Sequence, residues 1–366
     1  MKIQLLKKQL LDAIIVAEKI TGKKESLPVL SCILLDVDKD LMVRATNLES
    51  GIEVRILCDV QEPGVVAVSP SVVSQTLRSI SGDRVTIYTE ESNLYIESKG
   101  SKTLIKAIPH NEFPVLSRSQ GQNIGVEVLR ERFMKGVQSV SYAASPSMIR
   151  PELGSVYISL KSSLMVCVAT DSFRLAEKNI PGVAGKDMGD LLIPLKHISE
   201  LLFILEKVQS EKIQILIEDF QLTILGDFIR YVSRVVDANF PDYKTIIPKA
   251  ATTEVTLLKA DFSDVLKKGR VFSGNDQHIG LHVYPSKKIF SATARSQDVG
   301  EMSDILDAAV SGEDLDINFH IGYVADCLGA IVSDSITLLF AGPGRPLIMR
   351  GVGDASFMYL VMPLNR

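Results

Sequence analysis

The 366-residue sequence is poor in the features that usually announce chemistry. Its four cysteines (Cys32, Cys58, Cys167, Cys327) lie far apart with no CxxC pair, which argues against a zinc or disulfide framework. They are expected to be reduced residues, mostly inside strands and helices. No apolar run reaches the ~18 uncharged residues that a spanning helix needs. Lys7, Lys8, Asp12, Glu18 and Lys19 break up the N-terminal apolar stretch, which argues against a signal peptide and predicts a cytoplasmic protein. A phosphate-binding GxxxxGK(S/T) loop is missing, as is a GxSxG nucleophile elbow. Gly342-x-Gly344 and Gly351-x-Gly353 lack the third glycine and the strand-to-helix context of a dinucleotide fingerprint, so they read as turns.

Histidines number only five. His278 and His282 are four apart, a metal-binding spacing on a helix, but Gly280 between them and the LHVY run predict loop and strand. His110, His197 and His320 have no partner close in sequence. Glu90-Glu91 and Glu218-Asp219 fall in predicted hairpin turns, where carboxylates are solvated. No catalytic residue, metal or cofactor is therefore expected. The remaining composition, 46% hydrophobic and 23% charged, belongs to a globular protein too long for one core.

What is present is an internal repeat. KIQLLKKQLLDAIIVAEKI from Lys2, GVEVLRERFMKGVQSVSYAA from Gly125 and TEVTLLKADFSDVLKKGRVFS from Thr253 begin alike, and place Leu10, Phe133 and Phe262 at offsets of 123 and 129. The register continues through Ala45-Thr46, Ala169-Thr170 and Ala292-Thr293, each after a strand-like run. Ser69-Pro70 and Ile193-Pro194, with Ile321-Gly322 as a weaker match, open a second amphipathic run; Phe113-Pro114 and Phe240-Pro241 close units one and two, and Ile108-Pro109 matches Met362-Pro363. Linkers near Leu116–Gln122 and Ile246–Thr252 give domains 1–121, 122–248 and 249–366.

Within each unit, Leu10, Leu11, Ile14 and Ile15 exemplify the ~3.6-residue spacing of a one-sided helix. Ser69 or Ser71 can cap a second helix with Pro70 in its first turn. Val85–Ser98 and Ile213–Gly226 read as hairpins. The fold class is α+β, three repeated domains with two helices each on β-sheet.

Charge is distributed unevenly. The first helical stretches (residues 7–24, 129–138 and 258–270) carry net +3, +2 and +2, together +7 in a chain of −4, which leaves −11 for the rest. One such run is usually a solvated face. Its recurrence at three equivalent places points toward phosphates, whose attraction for Lys and Arg needs no fixed geometry. Lys7, Lys8, Arg130, Arg132, Lys135, Lys267 and Lys268 are the candidates.

Leu27-Pro28-Val29-Leu30, Ala45-Thr46-Asn47-Leu48-Glu49, Ala169-Thr170-Asp171-Ser172-Phe173-Arg174-Leu175, Phe240-Pro241-Asp242-Tyr243 and Val361-Met362-Pro363-Leu364 occur in the order found in the bacterial DNA sliding clamps, the beta subunits of DNA polymerase III, and the chain resembles that family throughout. The resemblance implies three clamp domains per chain and a head-to-tail ring homodimer with helices lining the hole. Twelve helices at ~10 Å spacing describe a circle of roughly 38 Å, which leaves room for duplex DNA once about 10 Å of helix is subtracted. Three units cannot close such a circle, whereas two chains can by heterologous contact.

The resemblance further implies double-stranded DNA as a partner, held by Lys24, Arg78, Ser147 and Lys196, and an ATP-using clamp loader that opens the ring. It implies a pocket for short peptides of the DNA polymerase III alpha subunit, the loader, and other polymerases and repair proteins. That pocket maps to Leu153, Thr170, Ser172, Phe173, Arg174, Leu175, Pro241, Ile246, Leu360, Met362, Pro363 and Leu364. Read as residues alone, Leu175 and Ile246 could equally be core, and Arg174 could pair with a carboxylate instead of anchoring a peptide. The chain departs from the family at Ser172-Phe173, where Gly-His is common, at the Leu364-Asn365-Arg366 end, and at Ser147, where a longer amide is usual. A non-catalytic processivity clamp is the expected function; the rivals are a nuclease with an unrecognised site and a peptide scaffold without a nucleic-acid role.

Overall fold

The computed structural model describes residues 1–22, 27–114, 116, 124–218 and 220–364. The expected linker residues 117–122, the DNA candidate Lys24, the turn residue Asp219 and the terminal Asn365-Arg366 lie outside the described residues. Among the described residues no helix is long and apolar enough to cross a membrane.

Each repeat opens with a strand that runs directly into a helix. Lys2–Leu6 leads into α1 (Lys7–Glu18), with α2 at Pro70–Ser79; Ile124–Leu129 leads into α3 (Arg130–Ser141), with α4 at Leu195–Leu205; Thr253–Leu258 leads into α5 (Lys259–Phe272), with α6 at Ile321–Asp326. Leu10, Phe133 and Phe262, aligned by the repeat, are all buried on the inner stripe of their helices. In α1 the buried residues are Leu10, Ala13, Ile14, Val16 and Ala17, while Leu11 and Ile15 are half-buried, so the buried face is turned away from the one the spacing suggested. Gly136 in α3 has a packing reason: a Cβ there would collide with the Ile180 side chain and lie 3.4 Å from Cys167 Sγ.

The start of the first helix is tied in the same way three times. The entering N–H groups of Lys7, Arg130 and Lys259 donate to the carbonyls of Asp83, Glu211 and Asp334, each at 2.8 Å. The side chains of the same residues reach carbonyls at or just past the second helix: Lys7 Nζ to Ile80 O at 2.9 Å, Arg130 NH1 to Leu205 O at 3.0 Å, and Lys259 Nζ to Ile331 O at 2.7 Å, the last beyond the 3-10 turn Cys327–Gly329 that follows α6. Helix ends leave carbonyls without intrahelical partners, and a cation satisfies them well. Ser69 does occupy the position before α2 with Pro70 first in the helix, but its hydroxyl faces Ser71 Oγ at 3.1 Å and makes no cap bond to the helix backbone.

The chain forms two compact units, and the division falls inside the second repeat: residues 1–131, 184–186 and 196–235 in one, residues 132–183, 187–195 and 236–366 in the other. The first unit holds a five-stranded and a ten-stranded sheet, the second a nine-stranded and a four-stranded sheet, with antiparallel pairings. Alternation sets their faces; in Ser335–Phe340, Ile336, Leu338 and Phe340 point to the core. The hairpin expected at Val85–Ser98 is present as Arg84–Glu90 and Asn93–Ser98, turned by Glu91 and Ser92 at φ 47° and 64°, the left-handed pair that suits the strand twist.

The cysteines are free thiols; Cys167 lies in a strand and Cys327 in a single 3-10 turn, while Cys32 and Cys58 lie outside regular elements, against the expectation for most of them. Burial pushes the Cys167 thiol up to about 12 and Cys327 further in the same direction. A thiol reagent at neutral pH is therefore expected to label half-buried Cys58 in the folded protein and the other three only after unfolding. Fast labelling of Cys167 or Cys327 in the native state would contradict this packing.

Candidate functional site

Where the second and third repeats meet, the strand Arg174–Pro181 pairs with Phe357–Val361, and Leu175 stands opposite Leu360. Beneath them Leu175, Tyr243, Ile348, Met358 and Leu360 form one buried cluster, with Ile247 and Met362 packed against it from the accessible side. The strand enters from a tight turn. Thr170 Oγ1 donates to Arg174 O at 2.6 Å, Asp171 Oδ1 accepts from the N–H groups of Phe173 and Arg174 at 3.0 Å, and Ser172 adopts φ 78°. Thr and Asp are suited to this because their short oxygens replace backbone partners.

The C-terminal segment continues the pairing. Met362 N donates to Phe173 O at 2.8 Å and Leu364 N to Asn318 O at 2.9 Å. The structure therefore brings Thr170, Ser172, Phe173, Arg174, Leu175, Leu360, Met362 and Leu364 into one neighbourhood. Phe173 is 60% exposed and stacks on Tyr323, ring centroids 6.4 Å apart. Ile246 is half-exposed while Ile247 turns inward, and Pro241 and Pro363 are half-buried. Leu153 is buried, its carbonyl accepting from Ser145 N at 2.8 Å.

Of the two readings of Arg174, the structure contains the paired one. Its Nε donates to Asp171 Oδ2 at 3.0 Å, its NH1 meets Asp326 Oδ2, and its guanidinium lies 4.4 Å from the Tyr323 ring centroid, with only 11% of the side chain exposed. His320 stacks on the same ring and accepts from Tyr323 N through Nδ1. Burial first, and then the nearby Arg174 charge, lower its pKa, so the imidazole is neutral at physiological pH. Sequence reasoning missed Tyr243, Ile247, Tyr323, His320 and Asp326. Tyr243 and Asp171 were inside the quoted FPDY and ATDSFRL segments, whereas Tyr323 and Asp326 are over 140 residues from Arg174.

The basic candidates divide by their partners. Lys7 and Arg130 cap the second helix of their own repeat, and Arg132 NH1 reaches Pro181 O at 3.4 Å. Lys196 meets Glu49 at 2.5 Å, Lys267 meets Asp264 at 2.8 Å and Lys268 meets Asp304 at 2.7 Å. Lys8, Arg78 and Lys135 are exposed, and no ion pair among the described residues engages them. Ser147 is exposed, but its hydroxyl accepts from Ile149 N at 3.3 Å. Capping explains why Lys7 and Arg130 cannot be counted as open phosphate contacts.

Other polar candidates have local partners as well. His282, in the strand His278–Tyr284, bonds Asp316 through Nδ1 at 2.6 Å and Thr293 through Nε2 at 2.9 Å. His197, for which no neighbour in sequence was expected to matter, has one at the third residue on, Glu200, at 3.2 Å. Among the described residues no group of three or more His, Cys, Asp or Glu side chains is placed to hold a metal ion.

Three domain models of one family match in succession: DNA polymerase III beta subunit, N-terminal domain at residues 1–117, central domain at 127–242 and C-terminal domain at 244–365. The beta sliding clamp of Escherichia coli is 25% identical over 352 residues, covering 94% of both chains, and that of Bacillus subtilis is 24% identical over 380 residues, covering all of both. Among solved structures, the DNA polymerase III beta subunit of Thermotoga maritima matches with a TM-score of 0.93 at 25% identity, over 100% of this chain and 99% of that one. That of Pseudomonas aeruginosa matches with a TM-score of 0.94 at 21% identity over the whole of both chains. The chain, with three tandem clamp-type domains that each combine helices and sheet, belongs to the DNA polymerase III beta subunit family.

Proposed function

We propose that two copies of this chain close head to tail into a ring around duplex DNA. In that form the chain is a non-catalytic sliding clamp that keeps a replicative polymerase on its template. The domain limits 1–121, 122–248 and 249–366 and a cytoplasmic location belong to the same reading. One observation carries it. The first repeat's Ser50–Ile56 pairs with the second repeat's Ile229–Arg234, and the second repeat's Arg174–Pro181 pairs with the third repeat's Phe357–Val361. By the same register the third repeat offers Gly300–Leu306 and the first offers Ser101–Ile105. Each is the last strand of its sheet, with one neighbour rather than two among the described residues.

An open edge strand attracts another chain, and here the two edges are complementary. Lys99, Lys102 and Lys106 lie on or beside Ser101–Ile105, while Glu301, 3.8 Å from Arg295, and Asp304, held by Lys268, lie on Gly300–Leu306. Leu104 is 44% exposed on one, and Ile305 is 74% exposed on the other. Joining them between copies is heterologous, and a closed ring pairs both of these edges in each copy.

Duplex DNA, the polymerase III alpha subunit, the clamp loader, and other polymerases and repair proteins are the partners this reading assigns. Their apolar peptide ends are taken by Phe173, Met362, Pro241 and Ile246, which rest on the buried Leu175 and Leu360. Arg174, already held by two carboxylates, stiffens the wall formed by Phe173 and Tyr323. Tethering at this pocket raises the polymerase's local concentration at the primer end without any chemistry by the clamp. Lys8, Arg78, Lys135 and Lys196 face the phosphates in this reading, and Lys24 is assigned to the same role from the sequence alone.

Three outcomes are expected. Sedimentation should give about twice the chain mass of 40.1 kDa, and Ile305→Asp should give 40.1 kDa itself with an unchanged melting transition, since that side chain is exposed. A wild-type monomer would sink the ring. Protein loaded on nicked circular DNA should be lost when the circle is linearised; retention would refute sliding. Removing Met362 to Arg366 should abolish polymerase stimulation and leave the two-chain mass intact, whereas loss of that mass would mean the pocket is misplaced.

A further inference from the structure

The turn that leads into Arg174–Pro181 is built a second time in the first repeat. Thr46 Oγ1 donates to Ser50 O at 2.9 Å, Asn47 Oδ1 accepts from Glu49 N at 3.0 Å and Ser50 N at 2.7 Å, and Leu48 takes φ 71°. Arg234 N donates to Glu49 O at 2.8 Å, as Met362 N does to Phe173 O. The position that carries Phe173 beside the peptide pocket therefore carries Glu49 here.

Its carboxylate does not point into open water. Glu49 Oε2 meets Lys196 Nζ at 2.5 Å and lies 3.8 Å from His197 Nε2, both residues of the first turn of α4. A helix start bearing a lysine is a ready anion site. Both Glu49 and Lys196 are half-exposed at 51%, so the pair is open to exchange. It borders a cleft of about 920 Å³ lined also by Lys19, Thr21 and Gly22 and by two further carboxylates, Glu18 and Glu200. The Lys196 hydrogen bond lowers the Glu49 pKa, which keeps the carboxylate charged throughout the physiological range.

We propose that Glu49 is a built-in occupant of a phosphate site at Lys196, displaced by a DNA backbone phosphate each time the duplex contacts this face. This rests on the reading that Lys196 faces DNA. Exchange of one anion for another releases little bound counterion, so the contact adds little affinity and little salt dependence. Glu49 thus acts as a positioning residue that weakens the grip of Lys196 and favours sliding over sticking. A backbone held at both ends of the residue, by Asn47 and Arg234, keeps the carboxylate in place to return when the phosphate leaves.

The test is binding of a short linear duplex of mixed sequence to the full chain, followed by fluorescence anisotropy across a salt series. Glu49→Gln is expected to tighten binding roughly two- to five-fold at low salt and to steepen the log–log salt slope by up to about 0.9, one added phosphate contact. Neither change should occur in a Lys196→Met background, and Glu91→Gln, an equal charge change in a distant hairpin turn, should do nothing. If Lys196→Met weakens binding but Glu49→Gln leaves affinity and slope alone, the exchange is wrong and the DNA-facing reading stands. If neither variant changes anything, that reading falls and the exchange with it. Equal tightening by Glu91→Gln, or by Glu49→Gln without Lys196, would reduce the effect to net charge and overturn the proposal.

Discussion

The repeated architecture depends on a cation at the first position of the first helix reaching the chain at or just past the second. Lys7 to Ile80, Arg130 to Leu205 and Lys259 to Ile331 are the same bond made three times across 70 or more residues. The first two satisfy carbonyls at a helix end that lack an intrahelical partner, the third a carbonyl just beyond the 3-10 turn that follows α6, and each works beside a backbone bond from the same residue. A charge-assisted bond of this kind contributes roughly 1.5–3 kcal/mol at most, less where water competes. Its structural consequence is larger than that figure. It ties the first residue of the first helix to the chain at or just past the second, and therefore restrains where that basic residue is presented.

The junctions show the opposite behaviour: the backbone is kept and the side chains diverge. Thr46–Ser50 and Thr170–Arg174 share hydrogen bonds, a left-handed third residue and a donor from the following repeat. Around the second turn stand Phe173, Tyr323, Met362 and the Leu175–Leu360 pair, an apolar surface with an arginine already neutralised. Around the first stand Glu49, Lys196, His197 and Glu200, with Ser50 Oγ bonded to Glu200 at 3.0 Å. Duplication supplied two copies of one frame. Substitution on that frame left an apolar surface at one and a group of charged side chains at the other.

This division also explains what could be read from the chain alone. Ala45-Thr46 and Ala169-Thr170 were legible as matched positions because the turn needs a short hydroxyl followed by Asn or Asp, a local requirement that leaves a local trace. The helix starts, the hairpin at Glu91-Ser92 and the aligned Leu10, Phe133 and Phe262 were legible for the same reason. Partners were not. Lys7 looks like an open cation until Ile80 is placed against it, and Lys196 until Glu49, 147 residues earlier, is placed beside it. Arg174 was correctly suspected of pairing, yet Asp326 carries no mark in sequence that would single it out. Alternation and spacing report on a residue's own element; long-range ion pairs depend on which elements meet.

Those partners bear on what a basic face can do. The candidate stretches carry +7 by sequence count, but within them Lys7, Arg130 and Lys259 are bonded to carbonyls and Lys267 and Lys268 to carboxylates, as Lys196 is outside them. A carbonyl bond leaves the charge in place but restrains it; a carboxylate cancels it locally. The field reaching a duplex is therefore broad and shallow rather than a set of point contacts. Affinity for DNA grows with each phosphate neutralised by a released counterion, and so does the barrier to stepping from one phosphate to the next. A face on which Lys196, Lys267 and Lys268 already hold carboxylates while Lys8 and Lys135 do not combines long-range attraction with contacts that exchange one anion for another, and exchangeable contacts favour movement along DNA over sticking.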